Sequence, residues 1–258
     1  MALASLAMPV MLHAQTPTIA DGGILNGASF ARGQAVAAGS LVSIFGTELA
    51  ASIAGADSVP LSTVIGGVSV SIGNRPAPVQ FVSPGQINVQ VPWEIAPPDG
   101  ATSTVDVVVK RGSSNSNTVK LSLVSAAPGI IVAGAGPQAI AINGDATLAA
   151  AAGSIPGANT HPARGGDIII LYATGLGAVD FPIESGHDAQ DHLRNTVLKP
   201  LITIGGISAQ VLFSGLTPQF PGVNQMNIMI PSNAPTGSSV PIQIQMNGIT
   251  HQATLAIQ

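Results

Sequence analysis

Two seven-residue segments of this chain alternate apolar and polar residues in the same order: QINVQVP at 86–92 and QMNIMIP at 225–231. Successive side chains of a β-strand point to opposite faces, so this two-residue period predicts strands with one apolar face each. Pro92 and Pro231 end the two strands, because proline has no N–H to donate to a sheet. The apolar positions are Ile87, Val89 and Val91 in the first segment and Met226, Ile228 and Ile230 in the second.

The similarity between the two segments extends along most of the chain. Four further pairs of segments match between the two halves, and each contains an apolar or alternating run beside a turn of glycine or small residues. Such a series of about six or seven short strands separated by turns is typical of an immunoglobulin-like sandwich. The sequence therefore predicts an all-β duplication, two tandem immunoglobulin-like β-sandwiches. The matching segments are 39–49 with 166–176, 71–81 with 203–213, 102–112 with 238–248, and 119–124 with 253–258.

The repeat also predicts where the domains lie. The first sandwich is expected at residues 24–125 and the second at 126–258, after an N-terminal tail at 15–23. Each segment is long enough to bury a core of its own. The segment SAAPG at 125–129 joins them, and so short a joint predicts limited freedom between the domains.

The first fourteen residues, MALASLAMPVMLHA, resemble the apolar part of a secretory signal. Leu12 and Ala14 occupy suitable positions before a cleavage site, although no Lys or Arg precedes the apolar run. A buried N-terminal strand or helix is the alternative. No other segment approaches the roughly 18 apolar residues of a membrane span. The expected location of the mature chain is therefore extracellular, at the cell surface or in the periplasm.

Composition narrows the classes of partner and cofactor. Hydrophobic residues make up 46% of the chain and charged residues only 8%, where about 25% is usual. The net charge is −4 and the eight Lys and Arg residues are scattered, so nucleic acid is not an expected partner. The absence of cysteine excludes disulfides and thiolate metal sites.

Several longer segments resemble one bacterial family. They are NGASF, GSLVSIFGTELA, PLSTVIGGVSV, VSPGQINVQVP, HPARGGDIIILYATGLG and ITIGGISAQVLFSGLTPQFPGVNQMNIMIP. Together they resemble the Solibacter uncharacterised C-terminal domain family, and each half also resembles the IPT/TIG immunoglobulin-like fold. The resemblance spans nearly all of residues 24–258. It implies tandem immunoglobulin-like domains, secretion and a non-catalytic role, with no catalytic residues and no cofactor to carry over.

One segment, ESGHDAQDHLR at 184–194, is dense in charge. Imidazole and carboxylate groups together could bind Zn²⁺, and carboxylates alone could bind Ca²⁺. A metal-dependent hydrolase using this loop is one hypothesis, and a solvated loop without a metal is the favoured interpretation. The candidate metal ligands are His187, Asp188, Asp191 and His192.

Two aromatic residues are candidates for ligand binding. Trp93 is the only tryptophan and directly follows the first repeated strand, whereas the second copy has Ser232 there. Phe220 lies in GLTPQFPGVNQ (215–225), a loop without a counterpart in the first copy. Either ring could stack on a sugar or anchor a protein partner. The alternatives are that Trp93 packs at the end of the first sandwich or at the domain joint, which is the favoured interpretation, and that Phe220 covers its own domain.

Other motifs do not indicate an enzyme. IIILYATGLGAVD at 168–180 has Gly175 and Gly177 after a strand, but lacks the third glycine and the helix of a dinucleotide site. His161 and His251 are expected to be ordinary histidines. The favoured function is an exported, non-catalytic module that binds an envelope or extracellular protein through strand edges or flat surfaces. Carbohydrate binding is the alternative, although polysaccharide sites usually need more aromatic residues than the 3% present.

Overall fold

A computed structural model describes residues 16–98 and 100–258 of the chain. The predicted signal segment, residues 1–14, lies outside these residues. The regular secondary structure of the described part is β-strand apart from one 3-10 turn, Trp93–Ile95, so the all-β prediction is confirmed. No helix within it has the length and hydropathy that a membrane crossing requires.

Twelve strands precede the joint between the two halves. In chain order they are β1 Thr18–Asn26, β2 Val36–Ala37, β3 Leu41–Thr47, β4 Ala54–Gly55, β5 Val64–Ile65, β6 Val68–Ile72, β7 Arg75–Ala77, β8 Val79–Val82, β9 Gln86–Gln90, β10 Ser103–Arg111, β11 Ser114–Asn115 and β12 Val119–Val124.

Ten strands follow the joint. They are β13 Gly129–Ile130, β14 Ala141–Ile142, β15 Leu148–Ala149, β16 Thr160–His161, β17 Ile168–Thr174, β18 Leu201–Ile204, β19 Ile207–Leu216, β20 Asn224–Met229, β21 Gly237–Met246 and β22 Ile249–Ile257.

The first half is a sandwich of two sheets. One sheet has the strand order β1-β3-β9-β8-β4, and the other has β2-β12-β10-β6-β5 with β7 and β11 at its margin. The inward positions of alternating strands from both sheets form one core, in which Ile44 and Ile87 of the first sheet join Val70 and Val107 of the second. Burial of these side chains, worth about 1.5–3 kcal/mol each, is what holds the two sheets together.

The second half repeats the central strand pairs of the first, but connects its sheets differently and adds strands β14, β15 and β16 beside β17. Four strand pairs of the first half have counterparts in the second half. They are β3–β9 with β17–β20, β8–β9 with β19–β20, β6–β10 with β18–β21, and β10–β12 with β21–β22. Here a single long strand, β19, pairs with β18 at its start and with β20 beyond it, so the sheet stays continuous around one core. A β-bulge between Val211 and Phe213 lies in this strand, as bulges do where sheets bend.

A proline explains why the first half differs. Pro78 separates β7 from β8, and the repeat places Gln210 of β19 at the equivalent position. Because proline cannot donate a ladder hydrogen bond, the strand breaks at Pro78 and continues in the opposite sheet. The duplication is therefore visible in the pairing, although the two halves join their sheets differently.

The N-terminal segment departs from the expected tail at 15–23. Strand β1 begins at Thr18, and Ile19 is almost completely buried. The side chain of Asn117 accepts from the Ile19 N–H at 2.8 Å and donates to the Ile19 carbonyl at 3.1 Å, as a neighbouring strand would. Residues 18–23 thus belong to the first sandwich. The boundary between residues 125 and 126 stays a prediction.

Candidate functional site

The tip of a long loop from the second half is docked against the first half. This junction loop, residues 178–198, connects β17 to β18. The Gly186 N–H donates to Oε1 of Gln90 at 2.6 Å, and the Gly186 carbonyl accepts from the Leu61 N–H at 2.9 Å. Gln90 is 1% exposed and also donates to the Gly39 carbonyl at 3.2 Å. The polar face of β9 is therefore covered at Gln90 by the second half.

Trp93 lies beside the docked tip. Its backbone N–H donates to Oγ of Ser185 at 2.9 Å, and that hydroxyl donates to the Glu94 carboxylate at 2.7 Å. Partial burial raises the pKa of Glu94, but this hydrogen bond from Ser185 and backbone hydrogen bonds outweigh it, so the pKa lies below its ordinary value. The indole packs directly on Gly39, where a Cβ would collide with the ring. Trp93 therefore packs within the junction, as the alternative interpretation expected.

A cavity opens next to Trp93, between the two halves. Its volume is about 310 Å³ and its wall is mostly apolar. The polar groups in the wall include Glu94 and Ser125. Small-molecule and peptide sites are concave, mostly apolar and furnished with few polar groups, and they occur preferentially between domains. The apolar lining includes Trp93, Pro97, Val124, Ala178, Val179 and Ile183.

A second set of contacts ties β17 and the 215–225 loop to the first half. The buried Thr174 hydroxyl accepts from the Leu41 N–H at 2.9 Å and donates to the Gly222 carbonyl at 2.6 Å. Gly222 has a φ of +77° and packs on the Leu41 side chain. The loop that the first copy lacks therefore reaches across the junction, and does not only cover its own domain.

The two glycines of the turn ATGLG at 173–177 allow close packing against the joint between the two halves. Gly175 and Gly177 both have a φ of +83°, and a Cβ at either position would collide with the carbonyl of Ala127 or Ser125. Asn26 adds a hydrogen bond from Nδ2 to the Ala127 carbonyl at 3.0 Å. The two backbone segments therefore approach each other too closely at the joint for any side chain. This close packing accounts for both glycines, and a nucleotide-binding role is not needed to explain them.

Arg194 organises the junction loop from inside. Its side chain is 3% exposed and makes two hydrogen bonds to Asp191, at 2.6 and 3.0 Å. The guanidinium also donates to the carbonyls of Phe181, Pro182 and His192. One arginine thereby holds both arms of the loop, because its fork of five donors can serve several acceptors at once.

The four candidate metal ligands do not converge. Asp191 is bound by Arg194, which holds the pKa of Asp191 well below its ordinary value, and His192 stacks on Phe181 at 4.3 Å between ring centroids. Asp188 accepts from the Gln190 side chain, and His187 faces Glu184 at 3.5 Å. Among residues 16–98 and 100–258, no three His, Asp or Glu side chains are placed to hold a metal ion. The four side chains are therefore engaged in separate contacts, and metal binding by them stays a prediction.

The two candidate aromatic residues line one narrow crevice beside the docked tip. Trp93 and Phe220 meet there with His187 and Asp188, although the crevice has no room for a ligand. Phe220 is 55% exposed. The structure thus brings together four of the six proposed site residues, and the open volume lies on the other side of Trp93.

Sequence reasoning missed Ser185, Gly186, Gln90 and Arg194. The sequence contains a signal for two of them, Gly186 and Arg194. A glycine inside a charge-dense loop indicates close approach by other backbone, which is the role of Gly186. Arg194, three residues after Asp191 in an otherwise acidic segment, indicates an ion pair at i, i+3.

His161 forms a pair outside the junction. Its Nδ1 contacts the Pro162 carbonyl and its Nε2 contacts the Asp145 carboxylate, each at 2.7 Å. The hydrogen bond to Pro162, followed by that to Asp145, raises the pKa of His161 above 6.5. Hydrogen bonds from Thr147, followed by that from His161, lower the pKa of Asp145 from 3.8 to about 2.

A titration tests this pair. Because the folded-state pKa of His161 is raised, its contribution to stability is complete below pH 6.5 and is lost as pH rises through the folded value. We expect NMR titration to give His161 a pKa above 6.5, and Asp145→Asn to lower it. An unchanged His161 pKa in that variant would contradict the pairing.

The comparisons with known proteins match one domain family to part of the first half. A model described as the IPT/TIG domain matches residues 28–123. The chain matches no curated protein. Because the second half repeats the strand pairing of the matched region, the prediction of tandem immunoglobulin-like sandwiches is confirmed.

Three solved structures are remotely similar. Domains 5-6 of the S-layer protein SbsC are 13% identical, over 94% of this chain and 98% of that one, with a TM-score of 0.28. The I9-I11 tandem from titin is 11% identical, over 94% and 66%, with a TM-score of 0.22. The C-terminal domain of the Streptococcus agalactiae AgI/II polypeptide BspA is 10% identical, over 94% and 99%, with a TM-score of 0.21.

Proposed function

We propose that this chain is an exported, non-catalytic immunoglobulin-like module that binds a protein of the cell envelope or the extracellular space. The narrower resemblance to the Solibacter uncharacterised C-terminal domain family belongs to this proposal and rests on the segments quoted from the sequence. The two sandwiches act as one body because the junction loop locks them together. An apolar segment of the partner occupies the junction cavity.

The junction cavity is the observation that carries this proposal. Its apolar wall is built from both halves, and Trp93 forms part of that wall. Tryptophan is among the residues that dominate binding energy in protein interfaces, especially in partly enclosed pockets. The acidic and imidazole groups of the junction loop are engaged in contacts within the loop, which favours a binding role over a hydrolytic one.

Filling the cavity tests the proposal. Ala178 lies in the cavity wall and is exposed, so Ala178→Trp should fill the space with little cost to folding. We expect the immobilised wild-type chain to capture a specific protein from the envelope fraction of the source cells, and Ala178→Trp to reduce capture at least tenfold, about 1.4 kcal/mol in binding free energy.

The matched control is Ala51→Trp, which places the same side chain at an exposed alanine outside the cavity wall. Its capture should equal that of the wild type. If Ala178→Trp and Ala51→Trp capture the same protein equally well, the cavity is not the binding site and the proposal fails.

Carbohydrate binding has less support. Sugar-binding sites usually combine several exposed aromatic rings, whereas Trp93 is the one aromatic residue in the wall of the junction cavity and the crevice shared with Phe220 is closed. A glycan array would favour this alternative only if a saturable signal disappeared in Trp93→Ala.

A further inference from the structure

The net charge of the chain is concentrated at the junction between its two halves. Glu94 and the junction loop contain five of the twelve acidic residues and one of the eight basic residues. Their net charge is −4, the value for the whole chain, because the remaining seven acidic and seven basic residues cancel. The five acidic residues are Glu94, Asp180, Glu184, Asp188 and Asp191, and the basic residue is Arg194.

Three of these acids lie at the junction cavity. Glu94 forms part of its wall, while Asp180 and Glu184 directly follow the wall residues Val179 and Ile183. The side chain of Glu184 is 86% exposed. The described residues of the wall include no Lys, Arg or His. A concave site with charge of one sign concentrates ligands of the opposite sign, so the cavity should attract cations.

Glu94 places an ionised carboxylate in the wall. The Ser185 hydroxyl donates to it at 2.7 Å. Although partial burial raises the pKa of Glu94, its hydrogen bonds bring that pKa below the ordinary value of 4.5, so the group is ionised at neutral pH. Arg75 lies near Glu94 and Lys199 near Asp180, but both cations are exposed and lie outside the wall. The charge of the cavity is therefore not neutralised from within it.

The remainder of the wall suits the stem of a basic side chain. It is mostly apolar, and the cavity volume of about 310 Å³ lies at the lower end of the range for ligand sites. Lysine and arginine lay their methylene stems along apolar surface and keep the charged end in a polar environment. A wholly apolar side chain would fill the same space but leave the Glu94 carboxylate without a counter-charge.

We propose that the junction cavity binds a lysine or arginine side chain of the protein partner, with the stem on the apolar wall and the charged end at Glu94. This inference rests on the proposed function, because it specifies the chemistry of the segment that enters the same cavity. Asp180 and Glu184 attract such a segment from solution and repel an acidic one. This attraction weakens as salt screens the charges.

An NMR titration with three short peptides tests this inference. The probes are acetyl-Leu-Lys-Leu-amide and the same peptide with norleucine or glutamate at its centre. Norleucine keeps the four-carbon stem of lysine and lacks the ammonium group. We expect the lysine peptide to shift the backbone amide signals of the wall and to bind about fivefold more tightly than the norleucine peptide, the upper end for an exposed ion pair. The glutamate peptide should bind more weakly than both, and about 1 M NaCl should abolish the preference for lysine.

Glu94→Gln removes the charge from the wall and keeps an oxygen that accepts from Ser185, so the junction loop should stay docked. This variant should bind the lysine and norleucine peptides equally. Asp57→Asn is the matched control, because it removes one negative charge at an exposed acid outside the wall. It should keep the preference for the lysine peptide. Ala178→Trp, which fills the cavity, should abolish the binding of both peptides.

The outcomes separate this inference from the proposed function. Equal binding of the lysine and norleucine peptides by the wild type would overturn the inference and leave the proposed function standing, since the cavity would then take an apolar segment without a charge. Binding of neither peptide, or lysine-peptide shifts that Ala178→Trp leaves unchanged, would also overturn it. An equal loss of preference in Glu94→Gln and Asp57→Asn would show attraction by the net charge alone, and the pairing with Glu94 would be wrong. Capture from the envelope fraction decides the proposed function independently of these peptides.

Discussion

Replacing Arg194 by alanine is expected to lower the free energy of unfolding by about 3 kcal/mol, the smaller end of the cost of breaking a buried ion pair. The smaller value applies because the partner, Asp191, is 58% exposed and would regain water. The Phe181, Pro182 and His192 carbonyls would lose a charged donor at the same time. The junction loop carries part of the cavity wall, so partner capture should fall together with stability.

Chemical denaturation followed by circular dichroism gives the size of this effect. Arg164→Ala is the matched control, because Arg164 is an exposed arginine of the same half. Arg194→Lys should lie between the two, since lysine keeps the charge and loses the planar fork that serves several acceptors. Equal stabilities of Arg194→Ala and Arg164→Ala would show that the arginine does not organise the loop.

The fold was predictable because its signal is local. Alternation in 86–92 and 225–231 marks strands β9 and β20. Strand β9 pairs with β3, and β20 pairs with β17. Strands β3 and β17 lie in the aligned segments 39–49 and 166–176. The apolar residues that the two-residue period places on the inward face, Ile87, Val89, Met226 and Ile228, are all buried. The strand at 18–23 was missed because Ala20, Asp21 and the glycines there interrupt the alternation.

The junction could not be predicted in the same way, because its contacts join distant residues. Gly186 and Gln90 are 96 positions apart, and Trp93 and Ser185 are 92 apart. Alternation places Gln90 correctly on the polar face of its strand, but it does not show that another domain covers that face.

The separation of the four candidate metal ligands has a related cause. Their spacing is compatible with a metal, but spacing does not reveal that a neighbouring arginine already binds one of the carboxylates. Arg194 satisfies Asp191, and Phe181 from the other arm of the loop stacks on His192. In a short charged segment, the arginine is therefore as informative as the acids and histidines around it.

Replacing Gly186 by alanine is expected to undock the junction loop and to lower the free energy of unfolding by about 3 kcal/mol. The φ of +87° costs a residue with a Cβ roughly 1–2 kcal/mol. The new Cβ would also lie 3.0 Å from the Leu61 carbonyl and 3.3 Å from Pro78. If the tip withdraws, the hydrogen bonds from the Gly186 N–H to Gln90 and from the Leu61 N–H to the Gly186 carbonyl are lost, which adds about 0.5–1.5 kcal/mol each.

Gly166→Ala separates the two parts of this cost. Gly166 has a φ of +91°, but a Cβ there meets no atom within 4 Å, so this variant carries only the backbone strain. Trp93 is the only tryptophan, and its backbone N–H donates a hydrogen bond to Ser185 at the tip of the junction loop. Its fluorescence therefore reports whether the tip is docked against the first half. Gly186→Ala should shift the emission to longer wavelength and Gly166→Ala should not. Equal stability losses and an unshifted Trp93 emission in both variants would mean that Gly186 contributes only its backbone conformation, and that the two sandwiches are not locked by the tip of the junction loop.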